Sequence, residues 1–215
     1  PGRGEEKPLT AEMNACTRFG LLRHATTFWN LEKRIQGRMN ARLAPVGEGM
    51  AHRWGDRLKG GGWQRLLVSS SGRAIETARL VNRSLNLPLH PEARLQEQDW
   101  GRWSGLRLPD LVAKHGEEVE AQVRAGWEFR PPGGESRREV WRRASRALVD
   151  AADRWPGERV LVVTHEGVIK CLLYRLAGRA FLPTEPALIW PGHLHLLEVR
   201  AGRPAILAVN HLSLE

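Results

Sequence analysis

The chain has 215 residues, 41% of them hydrophobic, and carries 33 Lys and Arg against 24 Asp and Glu, a formal charge of +9. That length suits one α/β domain able to bury roughly 70% of its unfolded surface. No apolar run approaches the ~20 residues of a membrane-spanning helix, and the two cysteines, Cys16 and Cys171, supply neither a disulfide framework nor metal-ligand spacing. The positive charge is spread along the chain, with no basic tail and no aromatic-basic alternation. An anionic small molecule is therefore expected as partner in preference to nucleic acid or a membrane.

Residues 1–17 read as a disordered or vector-derived lead-in without the apolar core of a signal peptide, so the expected compartment is the cytoplasm. Arg18–Arg23 reads as the first strand, an apolar run that ends in Arg23-His24. Polar groups at the C-terminal end of such a strand land in the crevice where open α/β sheets bind ligands. A loop then leads to a helix at about Gly47–Leu58, and Gly60-Gly61-Gly62 connects it to a second strand, Arg65–Ser69. Arg73 falls in the first turn of a helix over Ser71–Leu85. A cation is electrostatically misplaced at that positive end, and a bound anion would repair the mismatch.

Beyond Pro91, Leu95–Gly105 reads as a loop anchored by Trp100 and Trp103, holding the carboxylates Glu97 and Asp99. Helices at about Leu108–His115 and Glu117–Trp127 interrupt the strand-helix alternation and are expected to form a cap, residues 106–130. The turn Pro131–Ser136 follows, and Ser136 caps a helix to about Trp155 whose Arg137, Arg138, Arg142 and Arg143 read as a solvated face. Val160–Thr164 is the strongest strand, with His165 at its end and a helix over Gly167–Leu176. His193 and His195 alternate onto one side, but no third ligand has suitable spacing, so no metal is expected and His193 reads as a rim residue. A last strand, Ala205–Asn210, and a tail, residues 211–215, complete a single domain over residues 18–210.

Three apolar runs thus deliver Arg23-His24, Arg73 and His165 at their ends, and in a parallel sheet those ends converge. Arg23-His24-Ala25-Thr26-Thr27 with Asn30, Ser69 through Ala74, Glu97 with Gly101 and Trp103, Pro131–Ser136, and Thr164-His165 occur in an order that resembles the histidine phosphatase superfamily, also called phosphoglycerate mutase-like. The resemblance spans about residues 18 to 200. It implies a three-layer α/β/α sandwich with a mostly parallel central sheet and helices on both faces.

The activity it implies is metal-independent, cofactor-free hydrolysis of a small phosphorylated metabolite through a phosphohistidine. His24 would be the nucleophile, neutral because its other ring nitrogen donates to a backbone carbonyl. Arg23, Arg73 and His165 would hold the phosphoryl oxygens, and Glu97 would be the general acid, with Asp99 as the competing carboxylate. Thr27, Asn30, Gln36 and Gly37 align with positions that touch the phosphate or its carrier. Departures from the pattern are Ala25, Thr26, Asn40, Ala44 and Glu166. Ala44 replaces an expected helix cap, and Glu166 would put a negative charge near the phosphate if it points inward.

Two alternatives stand beside hydrolysis. One is phosphoglycerate mutase-type transfer, disfavoured because the adjacent arginines that precede the double proline in mutases read here Arg124-Ala125-Gly126-Trp127. The other is a non-catalytic anion-binding or regulatory module, in which Thr26 and Glu166 mark lost activity. The compact layout resembles α-ribazole-5′-phosphate or broad-specificity sugar phosphatases. The expected partner is the phosphorylated substrate or inorganic phosphate, and a homodimer is left open.

Overall fold

The computed structural model describes residues 15–214. Its centre is strand β1, Cys16–Arg23, flanked by the parallel β4, Arg159–Thr164, and the antiparallel β5, His193–Arg200. Strand β2, Arg65–Ser69, lies parallel to β4, and β3, Leu89–Glu92, closes that edge. Strand β6, Arg203–Ser213, pairs antiparallel with β5 at the other edge. The six-stranded order is β3-β2-β4-β1-β5-β6, so the four strands on one side are mutually parallel.

Strand alternation divides the core into two layers, as the period of two requires. Val160 and Val162 face one cluster together with Phe19, Leu21 and Leu67. Leu161 and Val163 face the other with Leu22, Leu66 and Val68. Helices α5, Arg137–Arg154, and α6, Glu166–Leu176, cover the first face through Val140, Ala144, Leu148, Val168 and Leu172. The second face is covered by α2, Pro45–Leu58, and α3, Gly72–Leu85, through Ala51, Trp54, Ala78 and Val81. The three-layer expectation holds, and no helix among the described residues is long and apolar enough to cross a membrane.

Several boundaries differ from the sequence reading. Strand β1 begins at Cys16, inside the expected lead-in, whose residues 1–14 lie outside the described ones. Strand β6 runs on to Ser213, because Leu212 and Ser213 pair with Leu194 and His193, so most of the expected tail belongs to the sheet. β3 is a strand the sequence reading omitted, and its Pro91 is tolerated because the strand is an edge. Ala44 provides no side-chain cap, yet α2 starts at Pro45, whose fixed φ suits a first helical position.

The segment expected to form a cap holds α4, Leu108–Arg124, kinked at His115 near the break expected between two helices. The first helix, α1, is the single turn Phe28–Leu31. The arginines of α5 do not all form a solvated face. Arg143 pairs with Glu135 at 2.7 Å and donates to the carbonyls of Arg94 and Glu97, and Arg137 is folded between two phenylalanine rings. Each has a carbonyl or aromatic partner far along the chain, which helical periodicity does not reveal.

Candidate active site

The register brings β1, β2 and β4 to a common edge, with Arg23 opposite Thr164 and Val68 opposite Val163. The next residues, His24, Ser69–Ser71 and His165, therefore meet. The rings of His24 and His165 lie 5.2 Å apart between centroids, inclined at 60°.

His24 is 4% exposed, and its Nδ1 lies 2.8 Å from the carbonyl of Ala25. That oxygen only accepts, so Nδ1 carries the proton and Nε2 keeps its lone pair. Burial, then the charges of Arg23 and Arg73, hold the ring well below its ordinary protonation range, partly opposed by the Ala25 carbonyl. Arg73 Nε approaches Nε2 at 3.3 Å.

Arg73 is itself fully buried and fixed by three carbonyl-type acceptors. Nη1 donates to Met39, Nη2 to Gly37, and its backbone N–H to the side chain of Asn40 at 2.9 Å. Asn40 thus retains, as an amide, an acceptor at the start of α3. Gly37 reaches its position with φ +51°, where a Cβ would press on the Ser104 hydroxyl. Burial lowers the guanidinium to about 10, opposed by Glu97, so Arg73 stays cationic at neutral pH.

His165 has its Nε2 at 2.8 Å from Ser69 Oγ and 3.2 Å from Ser71 Oγ, with Nδ1 3.2 Å from Arg73 Nη2. These serines orient the ring, a role the sequence reading did not assign. His165 is fully buried and is not part of the cavity wall; it lies against His24 and Arg73. Burial, followed by His24 and Arg73, lowers its protonation strongly.

A cavity of about 520 Å³ opens in front of His24, and Arg23, Arg73, Glu97, Asn30, Gln36 and Gly37 line it. Glu97 Oε1 accepts from the Gln98 N–H at 2.9 Å, and Oε2 from the Gly167 N–H at 3.3 Å in the first turn of α6. A Cβ on Gly167 would fall 2.4 Å from Glu97 Oε1, so glycine is what lets the carboxyl approach that helix. Burial raises the Glu97 pKa, opposed by the Gln98 N–H and Arg73. Asp99, the competing carboxylate, accepts from the Gly101 N–H and lies outside this cavity.

Gln36 is 7% exposed, and its Oε1 has no partner among the described residues. Thr27 is fully buried and does not line the cavity. Its hydroxyl donates to Asn30 Oδ1 at 2.9 Å and accepts from the Asn30 N–H, a capping box that fixes Asn30 at the wall.

Glu166 points inward. Its carboxylate contacts Arg23 at 2.5 Å and Lys170 at 2.7 Å, and both line the cavity. Burial opposes its ionisation, but the two cations outweigh that and keep the carboxyl below its ordinary value. Arg23 therefore faces the cavity with one nitrogen already committed. His193 lines a smaller neighbouring cavity with Arg23 and His24, whereas His195 is buried and accepts from the Asn210 N–H. Among the described residues no three His, Cys, Asp or Glu side chains stand together as a metal site.

The chain is similar in sequence and in fold to known proteins. The protein named "Probable phosphoglycerate mutase GpmB" from Salmonella newport is 30% identical over 158 residues, 74% of each chain. Bacillus stearothermophilus YhfR superposes with a TM-score of 0.83 at 30% identity, covering 92% of this chain and 98% of the other. A mycobacterial glucosyl-3-phosphoglycerate phosphatase, solved with VO3, superposes with a TM-score of 0.79 at 25% identity, covering 90% and 98%. The alpha-ribazole phosphatase from Shigella flexneri gives 0.74 at 25% identity, covering 90% and 96%. The family model described as "Histidine phosphatase superfamily (branch 1)" matches residues 19–212, and with it the strand ends that carry His24, Arg73 and His165. On that match, spanning both buried histidines and nearly the whole chain, the protein belongs to the histidine phosphatase superfamily.

Proposed function

We propose that this chain is a cytoplasmic, metal-independent phosphatase that hydrolyses a small phosphorylated metabolite through a phosphohistidine at His24. The observation that carries this reading is the Nδ1 contact of His24 with the Ala25 carbonyl, which leaves Nε2 unprotonated at the floor of a cationic cavity. Nε2 attacks phosphorus, and the ester bond to the carrier breaks. Arg73 and the free donors of Arg23 take the equatorial oxygens, a role that elsewhere falls to a divalent cation; losing one such donor typically slows an enzyme ~100-fold or more. His165, packed behind His24 with its Nδ1 3.2 Å from Arg73 Nη2, helps to hold that guanidinium in place.

Glu97, whose protonated form burial favours, is the general acid and gives its proton to the leaving oxygen. It then takes a proton from the water that attacks phospho-His24, releasing inorganic phosphate and restoring the imidazole. The names of two structural neighbours, a glucosyl-3-phosphoglycerate phosphatase and an alpha-ribazole phosphatase, support hydrolysis. The name of the 30% identical relative supports a second reading, mutase-type transfer.

The test is hydrolysis of p-nitrophenyl phosphate by wild type and His24→Ala. We expect the variant to be inactive with an unchanged thermal midpoint, and EDTA to leave the wild-type rate intact. An active His24→Ala protein or strong inhibition by chelator would refute the mechanism. With 3-phosphoglycerate, release of inorganic phosphate supports the hydrolase and conversion to 2-phosphoglycerate the mutase.

A further inference from the structure

Arg137, the first residue of α5, lines the same cavity as His24 and Glu97. Its guanidinium carbon lies 4.2 Å from the Phe129 ring centroid and 4.1 Å from that of Phe181, so two aromatic faces clamp its plane. Nη1 donates to the carbonyls of Gly126, at 3.0 Å, and Phe181, at 3.3 Å. Those bonds use one nitrogen of three. Nε and Nη2 have no acceptor among the described residues, and no carboxylate there pairs with Arg137.

Of the other arginines nearby, Arg23 pairs with Glu166, Arg34 with Glu32 and Arg143 with Glu135, while Arg73 donates to the Met39 and Gly37 carbonyls. A clamp that served only to tie two loops together would be complete with Nη1 and the rings. The remaining edge is a preoriented fork of N–H donors, the geometry that a carboxylate or phosphate takes in bidentate fashion. Glu97, Cys171 and Arg137 line one and the same cavity. A carrier held for proton transfer from Glu97 therefore shares its cavity with the Arg137 guanidinium. Burial lowers the guanidinium only to about 10, so it remains charged at neutral pH.

We propose that the Nε and Nη2 edge of Arg137 is a second anion subsite, and that the substrate class is phosphomonoesters bearing a carboxylate or a further phosphate on the same molecule. This rests on the phosphatase reading for the reaction, though not for the binding. The position differs from the adjacent arginines of the mutase pattern, since it follows Pro131-Pro132 rather than preceding it.

The test is calorimetric titration of the full chain with phosphonates, which are not hydrolysed. Alkylphosphonates are compared with ω-carboxyalkyl and α,ω-bisphosphonates of matched length, and the two dianionic series tell carboxylate from phosphate. At the best length we expect about tenfold or tighter binding over the alkylphosphonate, the scale of a hydrogen bond to a charged group. Arg137→Met should abolish that advantage and Arg137→Lys should restore part of it. No advantage at any length in wild type, or one that survives in folded Arg137→Met, overturns the subsite. Should Arg137→Met fail to fold, the wild-type series and Arg137→Lys still decide it. Absent p-nitrophenyl phosphate hydrolysis with this advantage intact sinks the enzymatic reading alone; hydrolysis without the advantage sinks the subsite alone.

Discussion

Burial acts on His24 and Glu97 in opposite senses, weakening the first's hold on a proton and strengthening the second's. In the proposed reaction kcat/KM falls on the acid side as His24 protonates, below the ordinary imidazole value of 6.5. It falls on the alkaline side as pH rises through the raised Glu97 value, above its ordinary 4.5. Glu97→Gln should slow alkyl phosphates, whose alkoxide needs the proton, far more than p-nitrophenyl phosphate, and should flatten the alkaline limb. The substrate's own ionisation is common to both enzymes, so pH profiles measured side by side isolate the residue. Equal slowing of both esters would remove Glu97 as proton donor.

His24, Arg73 and His165 were legible because each follows an apolar run, and strand ends converge by topology. Glu97 came from the resemblance alone, since nothing local separates it from Asp99. Arg137 was misread with Arg138 and Arg142 as surface, because its clamp comes from Phe129 and Phe181, and no periodicity within α5 encodes a ring from another loop.

At the level of elements, the loop carrying Glu97 is braced by the turn before α5. Arg102 donates its N–H to the Pro132 carbonyl, and Glu135 its N–H to the Asp99 carbonyl, each at 2.9 Å. That turn ends in a capping box. Ser136 Oγ accepts from the Glu139 N–H, and Glu139 Oε2 accepts from the Ser136 N–H at 2.8 Å. Ser136→Ala should lower stability in urea unfolding by about 1 kcal/mol, the usual cost of a lost cap.

Hydrogen bonding from Arg130, then from Ser136, depresses Glu139 to about 2. Its contribution is complete above the unfolded value near 4.5 and is lost as pH falls toward 2. The stability gap between wild type and Glu139→Gln should shrink across that window, and a gap independent of pH would contradict the assignment. This cap was readable, since Ser136 precedes Glu139 by three positions. The reach of β6 to Ser213 was not, because its last residues are fixed by pairing with His193 and Leu194 rather than by their own pattern.

Over the whole molecule, the charge of +9 and a cavity walled by Arg23, Arg73, Arg137 and Lys170 should draw anionic esters from a distance. Raising salt from about 10 mM to about 150 mM shortens the screening length from about 30 Å to about 8 Å. We expect kcat/KM for a dianionic ester to fall over that range more steeply than for a monoanionic one. Identical salt slopes would show that the field plays no part in capture.

The central strand sets a further condition on how the enzyme comes into being. β1 is held on one side by β4 and on the other by β5, and Arg23 meets Glu166 across 143 positions of sequence. A growing polypeptide on the ribosome holds His24 before it holds any partner for the strand that carries it, since both β4 and β5 come later in the sequence. In the proposed reaction, chemistry at His24 therefore has to wait until β4 has been made, and a product truncated before β4 would leave that imidazole with no pocket around it.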